Sequence, residues 1–75
     1  MVADLSPVGR VGVLLVATRG AGGPGEVRLR IRGGTETFLA FSDEPLSKGA
    51  TVLVVADRGA RGVDVVAWSQ PPTDN

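Results

Sequence analysis

The clearest signal in the chain is the alternation over residues 26–32, where Val27, Leu29 and Ile31 interleave with Arg28, Arg30 and Arg32. Successive side chains of a β-strand point to opposite faces, so this period of two predicts a half-buried strand. Four other segments read as strands. Residues 8–18 place Val11, Val13 and Leu15 on one face and Leu14 and Val16 on the other, as expected of a long strand that is curled into a barrel or covered on its outer side. Gly9 and Gly12 mark where that strand can bend or bulge. Residues 35–41, 51–56 and 63–68 complete the set. Between them, residues 19–25 (Arg-Gly-Ala-Gly-Gly-Pro-Gly) read as a flexible loop and Gly33-Gly34 as a tight hairpin turn. Residues 42–49, with Asp43, Pro45 and Gly49, make a connection across the barrel end, and residues 57–62 a Gly-containing hairpin loop. Residues 1–7 are expected to form a flexible arm and 70–75, with Pro71-Pro72, a disordered polar tail. That leaves 8–69 as the folded domain.

Composition narrows the class. The chain has 75 residues, room for one domain, and 43% of them are hydrophobic against 21% charged. That is enough apolar surface to offset the entropy of ordering. The apolar set is rich in Val, stiff at χ1 and suited to strands, while 11 Gly and 5 Pro break the chain at short intervals. The expected fold is therefore all-β with no substantial helix: five antiparallel strands closing into a Greek-key barrel of the OB-fold type. Closure removes sheet edges that would invite aggregation. A domain this small buries only about 60% of its unfolded surface, and no cysteine is present to staple it. The longest apolar run, residues 11–17, is interrupted by Gly12 and is far short of the roughly 20 residues a membrane-spanning helix needs. Residues 1–7 include Asp4 and lack a basic start and an apolar stretch, so no signal peptide is expected.

Candidate chemistry is sparse. The chain has no His, Cys or Tyr, which removes the usual general bases and the best nucleophiles. Ser47 and Lys48 are adjacent, but neighbours in an extended loop point apart and cannot converge as a nucleophile–base pair. Asp43-Glu44 reads as an exposed acidic turn. The glycine-rich loop lacks the Lys-Ser/Thr ending and following helix of a phosphate cradle. No metal or cofactor is expected. Catalysis is not expected either.

Binding is the remaining class. Arg28, Arg30 and Arg32 form a basic stripe, read either as a contact for phosphates or acidic partners, or as a solvated face paired with Glu26, Glu36 or Asp64. Net charge is 0, which argues against a general polyanion binder. Single-strand grooves interleave basic residues with aromatic platforms, and no aromatic interleaves here. Phe38 and Phe41 have opposite parity, so one is expected in the core and the other at the surface. Trp68 ends the last strand and either caps the barrel or, with an exposed Phe41, forms an apolar patch for a partner or lipid headgroups. Arg28, Arg30, Arg32, Phe41 and Trp68 are the candidate interaction surface.

The ordered motifs resemble the C-terminal soluble domain of NfeD-like proteins. The resemblance rests on Val8-Gly9-Arg10-Val11-Gly12, then Gly25-Glu26-Val27-Arg28-Leu29, then Gly34 with Phe38-Leu39-Ala40-Phe41-Ser42. Leu46-Ser47-Lys48-Gly49, Val52-Leu53-Val54-Val55, and the final Val63, Val65 and Val66 complete it. It spans residues 8–68. It implies an OB-fold domain normally carried behind transmembrane helices, acting with stomatin-, prohibitin- or flotillin-like membrane proteins. The expected role is a non-catalytic interaction or scaffold module at the membrane periphery, or in the cytoplasm if no anchor is attached. An OB-type single-stranded nucleic-acid binder using the arginine stripe is the alternative. The glycine-rich loop is longer than the family pattern, and the family's Ser–Lys protease domain has no counterpart in this chain.

Overall fold

The computed structural model describes residues 6–31 and 33–69. Seven strands are present among these residues: β1 (Val11–Val16), β2 (Thr18–Arg19), β3 (Gly25–Ile31), β4 (Gly34–Phe41), β5 (Pro45–Leu46), β6 (Thr51–Gly59) and β7 (Gly62–Ala67). A 3-10 turn at Gly20–Gly22 is the only helical element among the described residues. Five strands close a barrel in the order β1-β3-β4-β7-β6, and β2 pairs with β5 in a separate two-stranded sheet. This is the all-β, OB-like barrel that the sequence pattern predicts.

The expectation of purely antiparallel strands is corrected at one seam. β4 and β7 run parallel, paired from Leu39↔Gly62 to Phe41↔Asp64. Parallel neighbours need a crossover rather than a hairpin. Here that crossover comprises β5 and the whole of β6.

The alternation of β3 places Val27, Leu29 and Ile31 inside and Arg28 and Arg30 outside. With Leu14, Ala40, Val52, Val54, Val63 and Val65, Val27 and Leu29 make one buried cluster, against which Phe38, Leu46 and Ala50 pack. β1 curls as expected, pairing with β3 on one side and β6 on the other. Its outer side is not covered: Val11, Val13 and Val16 are exposed. The inner position Gly12 is buried where β1 crosses β3, and a Cβ there would lie 2.6 Å from the Arg28 carbonyl oxygen. A side chain would hold the two strands apart, so Gly is required by close approach.

The turns differ in detail from expectation. Ile31 pairs with Gly34, so the β3–β4 hairpin turns at positions 32–33; Gly34 belongs to β4, and Gly33 supplies the positive φ of 78°. Arg32 lies outside the described residues, as do residues 1–5 and 70–75 of the expected arm and tail. The loop expected at 57–62 shrinks to Ala60-Arg61, because Gly59 pairs with Gly62. Both turn residues have positive φ, 50° and 63°, the signature of the type I′ hairpin turn that matches strand twist. The expected loop at 19–25 is also partly regular, holding the end of β2, the 3-10 turn and the start of β3.

Candidate interaction surfaces

β6 carries two bulges against β7. The register shifts between Val54 and Ala56 and again between Asp57 and Gly59, so Val55 and Arg58 are the extra residues. Bulges re-aim side chains, and these two face a common groove of about 810 Å³. The groove runs between β6–β7 and the segment that leaves β4. Phe41, Leu46, Val55 and Val66 supply apolar wall; Asp43 and Glu44 are exposed acids on its lining.

The side of the groove formed by β5 is held by Thr18. This threonine is 2% exposed, the one buried polar side chain among the described residues. Its Oγ1 accepts from the Leu46 backbone N–H at 2.8 Å and lies 2.6 Å from Ser42 Oγ and 3.3 Å from the Glu44 carbonyl oxygen. Ser42 Oγ is also 2.6 Å from that carbonyl. Each hydroxyl has one proton, so the pair shares the Glu44 acceptor between them. The buried hydroxyl thus ties β2 to β5 and fixes residues 42–46 beside the barrel. Sequence reasoning missed Thr18 because a lone Thr at a strand end has no periodic signature.

Across the groove, Arg58 lies 4.0 Å over the Phe41 ring and donates from Nε to Asp64 Oδ1 at 2.8 Å. Arg61 lies 5.0 Å from the Phe38 ring centroid, donates to the Thr37 carbonyl at 3.0 Å and reaches Glu36 at 3.5 Å. The Leu39 N–H donates to the Arg61 carbonyl at 2.8 Å, extending the parallel seam into the turn. These are exposed contacts worth about 1 kcal/mol or less each. Their effect is positional: both arginines of the β6–β7 hairpin are laid onto β4.

The four candidate residues that the structure describes, Arg28, Arg30, Phe41 and Trp68, therefore fall on two surfaces. Phe38 packs against the core and Phe41 does not, as parity requires. Phe41 sits opposite Asp64, and Trp68 is four residues further along the chain from Asp64, so the two aromatics do not share a patch. Trp68 does not enter the core: it is 40% exposed, and its backbone N–H donates to the Thr51 carbonyl at 3.0 Å. Arg28 and Arg30 lie on the outer face of β3, with Val13, Thr37 and Thr35 as strand neighbours. The expected pairing of this stripe is corrected. Glu36 is taken by Arg61 and Asp64 by Arg58, and neither Arg28 nor Arg30 makes an ion pair among the described residues. No group of His, Cys, Asp and Glu suited to a metal occurs among the described residues, and no helix there is long and apolar enough to cross a membrane.

Comparison with known proteins agrees with this architecture. The NfeD C-terminal domain family matches residues 11–66. The solution structure of the soluble domain of the NfeD protein YuaF from Bacillus subtilis is similar, with 34% identity and a TM-score of 0.66 over 79% of this chain and 70% of that one. The C-terminal domain of stomatin operon partner protein 1510-C from Pyrococcus horikoshii has the same fold, with a TM-score of 0.65 and 22% identity over 93% of this chain and 100% of that one. No curated protein matches the chain. With the family pattern running from the first barrel strand to the last, the chain belongs to the NfeD C-terminal domain family.

Proposed function

We propose that the chain is a non-catalytic interaction module that docks on a stomatin-, prohibitin- or flotillin-like membrane protein, working at the membrane periphery. The observation that carries this reading is the groove beside β7, where an apolar wall of Phe41, Leu46, Val55 and Val66 meets Asp43 and Glu44, acids that form no ion pair among the described residues. Apolar contact supplies affinity, and rim charges set on-rate and partner choice. The groove therefore suits a segment that carries apolar side chains next to Lys or Arg. The name of the Pyrococcus relative, a stomatin operon partner, supports the class of protein that would present such a segment. Chemistry is a poor fit for the same groove. Its lining hydroxyl, Ser42, is bonded to Thr18 and Glu44, and the Asp64 carboxylate to Arg58.

The test is co-purification of the chain with the stomatin-like protein of its own source, comparing the native chain with Asp43→Lys/Glu44→Lys. Both positions are exposed, so the reversal leaves the fold intact. Retention that weakens on reversal, and weakens further with salt, is expected. Undiminished retention of the reversed chain would remove the groove from the account, and no retention of the native chain would remove the partner.

A further inference from the structure

The outer face of β1, β6 and β7 is a second surface, which meets the groove only at Val66. Two rows of side chains cross it. In the first, Val11 is opposite Leu53 and Leu53 opposite Val66. In the second, Arg28 is opposite Val13 and Val13 opposite Thr51, with Trp68 bonded to the Thr51 carbonyl. Val11, Val13, Val66 and Trp68 are each 38–45% exposed. Arg30, two residues beyond Arg28 on the same face of β3, continues the basic border.

Charge and shape on this face point the same way. Neither row contains an acidic side chain, and Glu26 lies on β3 beyond Arg28, beside Val16. Asp64 and Glu36 are engaged by Arg58 and Arg61 on the other side of the barrel. A chain of net charge 0 thus carries a local apolar field bordered by two unpaired guanidiniums. Val11, Val13, Leu53 and Trp68 lie on the outside of the closed barrel and line neither the groove nor the hollow around Ile31, which touch this face only at Val66 and Arg30. A lone Trp at the edge of such a field, with an apolar ring and a polar N–H, matches the headgroup level of a bilayer. Arginines beside it match anionic lipid phosphates.

We propose that this face, Val11, Val13, Leu53, Val66 and Trp68 with Arg28 and Arg30, docks the domain onto an anionic bilayer surface. The valines and Trp68 enter the headgroup region and the two arginines contact lipid phosphate. Only Val66 is common to this face and the groove, so Phe41, Leu46 and Val55 with Asp43 and Glu44 stay open to a protein partner.

Trp68 is the single Trp, so its emission reports the contact directly. The full chain is titrated with phosphatidylcholine vesicles, with and without phosphatidylglycerol, and followed by fluorescence and co-sedimentation. With phosphatidylglycerol present, Trp68 emission shifts to the blue and protein sediments; added salt reverses both. Arg28→Gln and Arg30→Gln each lower the partition coefficient about fivefold, the equivalent of roughly 1 kcal/mol per basic residue at the surface. Val13→Asp abolishes the blue shift. A thermal scan of each variant confirms folding, and Val11→Asp, at a position 44% exposed, replaces Val13→Asp if the latter melts early. Absence of a shift with anionic vesicles overturns the proposal. So does equal partitioning into pure phosphatidylcholine, or a Trp68 shift produced only by a protein partner or by single-stranded nucleic acid.

Discussion

Replacing Thr18 by Val keeps the shape of the side chain and removes its oxygen. Thr18 is 2% exposed, and its hydroxyl is the acceptor for the Leu46 backbone N–H at 2.8 Å. In Thr18→Val that N–H loses its partner beside a methyl group, and Ser42 retains only the Glu44 carbonyl. Leaving a buried donor unsatisfied costs about 1–3 kcal/mol, while the added methyl returns part of this through apolar burial. The expected net loss is about 1–2 kcal/mol. For a domain of this size that lowers Tm by about 4–8 °C per kcal/mol. Urea denaturation should show the midpoint falling with an unchanged slope, because the exposed surface on unfolding is the same. Amide exchange adds a local readout: the Leu46 amide should lose protection while Val27, Leu29 and Val54 in the barrel keep theirs relative to global stability. A Thr18→Val variant as stable as the parent, with Leu46 still protected, would refute the assignment of this hydroxyl as the tie between β2 and β5.

Other perturbations probe the barrel. Leu29→Asp places a charge in the fully buried cluster without a partner and should leave the chain unfolded at room temperature, with a random-coil far-ultraviolet spectrum. Gly12→Ala must push β1 from β3, since the new Cβ meets the Arg28 carbonyl at 2.6 Å and Leu29 Cδ2 at 2.5 Å; a loss of about 1–3 kcal/mol in chemical denaturation is expected. Ala60→Gly relaxes a residue held at φ 50° in an open turn and should raise stability by about 0.5–1 kcal/mol, seen as a higher melting temperature.

The barrel strands were legible because their local pattern and their environment agree. The alternation of Val27, Leu29 and Ile31 with Arg28 and Arg30 is the inside–outside division of β3 itself. β1, apolar at both parities, was legible as a curled strand, and its exposed Val11 and Val13 are what one of those parities becomes when nothing covers it. Long-range order was harder to read. The parallel seam between β4 and β7 depends on how β6 returns across the barrel, and no residue spacing encodes that. The two-residue strands β2 and β5 are too short for any period, so the chain from Thr18 to Leu46 offered no sign that a buried hydroxyl would join its ends. The β6–β7 turn escaped because Ala60 and Arg61, non-glycine residues, adopt positive φ along with Gly59. The groove was hidden for a related reason. Val55 and Arg58 reach it only because two bulges break the alternation that would otherwise assign their faces. Among the candidate residues, pattern placed Arg28 and Arg30 correctly on the outside, but their ion-pair partners are set by the hairpin that folds Arg58 and Arg61 onto β4.

On the proposed function, the groove beside β7 receives a segment of a stomatin-like membrane protein. Amide chemical-shift mapping of the isotopically labelled chain, titrated with that protein, tests it most directly. Perturbations are expected to concentrate at Phe41, Ser42, Asp43, Glu44, Leu46 and Val55, with Arg28, Arg30 and Trp68 unmoved in the absence of lipid. Perturbations confined to the face of β1 and Trp68, or spectra unchanged by saturating partner, would contradict it.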